Sequence, residues 1–140
     1  MWLVYAFLSA IMAALVAIFA KLGLEDLDST LATTIRAIIM ALFLVLVSFF
    51  LNKFDGFSIA SLGSKEWLLI ALAGIAGALS WLFYFYALKI GFATEVVAID
   101  RLSIVFVVVL AALFLGEGFG IKVILGALLM TGGAILITLR

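Results

Sequence analysis

Cysteine, histidine and proline are all missing from this chain of 140 residues. Without cysteine there is no disulfide framework, thiol nucleophile or thiolate metal site, and the redox compartment cannot be read. Without histidine the commonest general base and metal ligand is gone. Without proline the usual helix breaker is gone, so a hinge in any helix is expected at glycine. Charge is scarce as well: 11% of residues are charged, against about 25% in a typical soluble domain. The signs cancel to a formal net charge of zero, which leaves no basic surface for nucleic acid.

What fills the space is apolar surface. Hydrophobic residues make up 69% of the chain, more than a soluble fold of this size can bury. The fold class expected is an all-α membrane protein, an up-and-down bundle of five transmembrane helices at about residues 2–22, 30–51, 65–88, 94–115 and 120–139. All of residues 1–140 form one domain in this reading. The N-terminal run WLVYAFLSAIMAALVAIFAK lacks a basic leader and is too long for a signal peptide core, so it reads as the first span. Trp2 and Tyr5 suit the interface at its start and Lys21 can snorkel at its end. Ser9, Ala13 and Ala17 line one face and Ala6, Ala10 and Ala14 another, as in helix packing seams.

The loop after the first span holds Glu25, Asp26 and Asp28, and Asp28 or Ser29 suits the next N-cap. Arg36 lies about six residues, roughly 9 Å, inside the second span. It shares a face with Ser29, Thr33 and Met40, the one polar stripe of that helix. The longest loop, NKFDGFSIASLG, holds Phe54, Phe57 and Ile59 and suits the headgroup region. In the third span Gly74 and Gly77 offer a close-packing patch and the best proline-free hinge. The aromatic block from Trp81 to Tyr86 ends it, with Ser80 just ahead. Trp81 is the aromatic expected in a cavity, with Tyr84, Thr33 and Ser80 as further candidates.

The fourth span carries Asp100 and Arg101 near its start, with Ser103 one turn on. A charge at the centre of a membrane helix costs roughly 2.5–3.5 kcal/mol on insertion scales. Arg36, Asp100 and Arg101 are expected at similar depth under one face, where Asp100 can pair with either arginine. Two readings stand side by side: a structural ion cluster joining the second and fourth spans, or an anion site, proton relay or gate latch. Gly116, Gly118 and Gly120 form a turn around Glu117, and Glu95 and Glu117 read as interfacial charges. Gly126, Gly132 and Gly133 give the last span small contacts. There is no nucleophile–base pair, metal constellation or phosphate-cradling loop, so neither an enzyme nor a cofactor is expected.

Lys53, Lys65 and Lys122 fall on the N-terminal side of the membrane in this topology, and Lys21, Lys89 and Arg140 on the other. Arg36 and Arg101 would add to the second set. Orientation follows Lys/Arg excess, and so weak an excess suits insertion in both directions. Two copies in opposite orientations would make an inverted pair.

The run YALKIGFATEVVAIDRLSIVFVVVLAALFLGE, followed by LGALLMTGGAILI, resembles the EamA domain of the drug/metabolite transporter superfamily. AKLGLEDLDSTLATTIRAII is similar to the corresponding first half of its five-helix bacterial and archaeal members. The segments AIDRLS and ATTIR are more specific to these short members than is LGE. Ten-helix relatives carry two such domains in inverted orientation and export metabolites or amino acids. The resemblance therefore implies a small-molecule transporter in the cell (inner/cytoplasmic) membrane, acting as an antiparallel homodimer with a cavity lined by the first four spans. A non-transporting accessory or scaffold subunit, a subunit of a lipid-linked-sugar flippase, and an orphan domain kept for folding are the alternatives. Small multidrug resistance relatives depend on a glutamate in the first helix. The first span here has no acid, so that proton exchange does not carry over, and Asp100 is the one deeply placed acid available for coupling.

Overall fold

The structure is a computed structural model and describes residues 1–58, 62–116, 118 and 120–139. Ile59 of the second loop, the interfacial Glu117 and the topology residue Arg140 lie outside the described residues. The described chain is helical, with no strand: α1 is Trp2–Gly23, α2 Ser29–Phe50, α3 Ser64–Ile90, α4 Ala93–Asp100, α5 Ser103–Leu110 and α6 Ile121–Thr138. A π-helical turn, Ala111–Leu115, continues α5. Five stretches are long and apolar enough to cross a bilayer: Trp2–Gly23, Ser29–Phe50, Ser64–Ile90, Ala93–Leu115 and Ile121–Thr138. Their large side chains are mostly exposed on the chain's own surface, as a lipid-facing surface requires.

The helix ends follow local chemistry. Asp28 caps α2: its Oδ1 accepts from the N–H groups of Thr30 and Leu31 at 2.9 and 3.1 Å, satisfying two donors that the first turn cannot bond internally. At the other end of the fourth span Gly116 sits at φ 67°, and its N–H donates to the Ala111 carbonyl, closing the π turn. A side chain is strained in that left-handed region, so Gly116→Ala is expected to cost ~1–2 kcal/mol and Gly116→Asn less. Thermal melting in detergent measures this, and an unchanged midpoint for the alanine variant would count against a conformational role for Gly116.

The chain divides into two units, residues 1–21 with 90–140 and residues 22–89. In the first, α4 and α5 both pack against α6. The buried positions there are alanines, Ala17 of α1, Ala98 of α4 and Ala134 of α6. Small side chains let backbones approach where lipid supplies no hydrophobic drive between helices. The α1 seam thus narrows to its last turns, with Ala17 buried, Ala13 half-buried and Ser9 exposed. Lys21 Nζ donates to the Gly91 carbonyl at 2.8 Å, tying the end of α1 to the turn before α4. In the second unit Lys89 Nζ donates to the Leu27 carbonyl at 2.7 Å, tying the end of α3 to the cap region of α2. Both lysines were expected only as interfacial charges; each satisfies a loop carbonyl.

The fourth span departs from the expected continuous helix at 94–115. It breaks after Asp100, at Arg101 and Leu102, whose ψ angles are −13° and −15°. The hydrogen bonds shift accordingly from four residues back to three: Leu102 N–H donates to Ile99 O at 2.9 Å, Ile104 to Arg101 O at 3.2 Å and Val105 to Leu102 O at 2.9 Å. This is one turn of 3₁₀-like winding within a membrane span. It falls on Asp100, Arg101 and Leu102, none of them a glycine. α3, meanwhile, runs unbroken through Gly74 and Gly77.

Candidate functional site

The second unit builds its site from two helix faces. On α2 the expected polar stripe is the inward face: Ser29 and Thr33 are buried, while Arg36 and Met40 are half-buried. Thr33 Oγ1 donates to the Ser29 carbonyl at 2.7 Å, so its proton is already used inside the helix. On α3 Trp81 and Phe85 are four residues apart and so lie one above the other. Phe85 is 3% exposed and Trp81 is half-buried.

The Arg36 guanidinium carbon stands 3.9 Å from the centroid of the Trp81 ring and 5.2 Å from that of Phe85. A desolvated cation over an aromatic face gains about 2 kcal/mol. Placing an arginine in a span costs roughly 2.5–3.5 kcal/mol on insertion scales. The two rings therefore offset part of the cost of the charge. The guanidinium also carries five N–H donors, which bond in the plane of the group. Nothing described within residues 22–89 accepts a hydrogen bond from Arg36. No buried side-chain nitrogen or oxygen among the described residues lacks a partner. The Arg36 nitrogens are therefore not sealed away without a partner.

Of the remaining candidates, Tyr84 is half-buried one turn from Trp81, while Ser80 is exposed. Asp100, Arg101 and Ser103 belong to the other unit, where they flank the break in the fourth span with exposed side chains. A Cβ on Gly74, Gly77, Gly132 or Gly133 would meet nothing within 4 Å. These glycines make no close approach within the chain. Phe85 is the residue of this face that sequence reasoning did not single out within the aromatic block. Its signal was the four-residue spacing from Trp81.

Five apolar spans, with an arginine over an aromatic ring inside one of them, define a polytopic membrane protein. The model of the EamA-like transporter family matches residues 1–139, and the chain belongs to that family. A curated relative from Sinorhizobium sp., described as "Uncharacterized transporter in cobO 3'region", is 38% identical over 136 residues, 97% of this chain and 95% of the relative. No solved structure matches the chain. The protein is thus a multi-pass member of a membrane transporter family.

Proposed function

We propose that the protein carries a small organic molecule, a metabolite or amino-acid-like compound, across the cell (cytoplasmic) membrane, and that the working unit is an antiparallel homodimer. The observation that carries this reading is family membership along essentially the whole of a five-span chain. Transport folds commonly pair two inverted halves around a site near the bilayer midplane, and five spans supply one half. The substrate path would include the Arg36–Trp81 face, the charged site best supported by rings within a span. The open glycines Gly74 and Gly77 on α3 suit the seam with a second copy, because small residues permit close helix contact in lipid.

Uptake into proteoliposomes of the purified protein, screened against pooled radiolabelled amino acids and organic acids, tests this directly. Saturable uptake above that of protein-free vesicles is expected. No uptake of any pooled compound, together with co-purification of a second membrane protein, would favour an accessory subunit. Chemical cross-linking should capture a dimer, and a strictly monomeric active species would defeat the homodimer.

A further inference from the structure

Arg36 stands with its guanidinium carbon over the Trp81 ring, 3.9 Å from the centroid, and 5.2 Å from the centroid of Phe85. Its N–H donors find no acceptor among the described residues of its unit and are not sealed in. Seven residues separate Arg36 from Ser29 at the start of α2, a depth of about 10 Å along the axis.

The site carries a single positive charge. Of the cationic residues in this unit, Lys53 lies in the loop after α2 and Lys65 and Lys89 lie at the ends of α3, while Arg36 is inside a span. One cation in a medium of low dielectric is neutralised by a monoanion, whereas a dianion would leave a net charge there. The planar fork of donors matches a planar pair of oxygens held two-by-two. A ring at the back of the guanidinium also extends an apolar floor for the organic part of such a ligand. We propose that Arg36, backed by Trp81 and Phe85, binds a carboxylate group, and that the molecules this protein carries are organic acids or zwitterions that bear one. That the protein transports such molecules rests on the function proposed above; the binding does not.

The test uses the full chain in detergent. Trp2→Phe and Trp67→Phe leave Trp81 as the single tryptophan, so its fluorescence reports on the guanidinium stacked against it. Benzoate should give a saturable change, while benzamide, its neutral counterpart, should give none. Arg36→Lys keeps the charge but loses the fork, and should raise the half-saturating benzoate concentration about tenfold or more. Arg36→Gln should abolish the response. Circular dichroism and elution volume establish folding, and if Arg36→Gln does not fold, Arg36→Lys decides.

Equal responses to benzamide and benzoate, or an unchanged half-saturation in Arg36→Lys, would overturn the proposal. So would a response to diethyl phosphate without one to benzoate, which would mark a phosphodiester site for a lipid headgroup. Benzoate binding without uptake of any carboxylate in vesicles would sink the transport reading and leave this one standing. Uptake with no benzoate binding would do the reverse.

Discussion

Two or three lysines added to one terminus will abolish transport, and co-expression of a copy locked in the opposite orientation will restore it. The balance of flanking charge is the reason. In the expected topology Lys53, Lys65 and Lys122 oppose Lys21, Lys89 and Arg140, and Arg36 and Arg101 add to the second set. Topology responds to Lys and Arg near span ends, so a few added lysines outweigh a balance this close. If the transporting unit is an antiparallel pair, each locked variant can contribute only one of the two halves. Activity should then fall to background in either variant alone and recover when both are made together. A locked variant that is fully active by itself would show that one orientation suffices. Reporters on both termini of the unmodified chain should find both orientations, and a single orientation without a partner protein would also rule out the pair.

The second large effect concerns the break in the fourth span. Val107 lies in the middle of α5, where a proline removes a helical hydrogen bond and drives its ring into the preceding turn, at ~3 kcal/mol or more. Ser103 is the first residue of α5, and its N–H donates to no backbone carbonyl among the described residues. The first position of a helix is also where the fixed φ of proline fits. Ser103→Pro should therefore retain well over half of the stability that Val107→Pro loses, as read from thermal unfolding in matched detergent. Equal losses at the two positions would mean that the span behaves as one continuous helix.

Some of this architecture could be read from residues alone, because a bilayer leaves so few options. A run of about twenty predominantly apolar residues reads as a helix across the membrane, and the span limits agree with the structure to within a residue or two. The cap at Asp28 was legible for the same local reason, since its carboxylate answers donors only two and three residues away. The break at Arg101 was not legible. A change of some 25–30° in ψ from the usual helical value, at two successive residues, moves the hydrogen bonds, and no side chain in Asp-Arg-Leu announces it. Arg36 and Trp81 were each singled out, but for different partners. Depth along a helix follows from counting residues, whereas the direction in which a side chain leaves the helix relative to a neighbour depends on packing. An arginine at a given depth can turn to an acid or to an aromatic face, and in its own unit it meets Trp81 and Phe85.

The fourth span is wound tightly where Leu102 and Val105 bond three residues back and loosely over Ala111–Leu115, where Gly116 bonds five back. These departures have opposite sense about the helix axis, so the angular error introduced at one end of α5 is countered at the other. Ser103–Leu110 is consequently turned about the helix axis relative to α4, a rotation reached in a span that holds neither proline nor glycine.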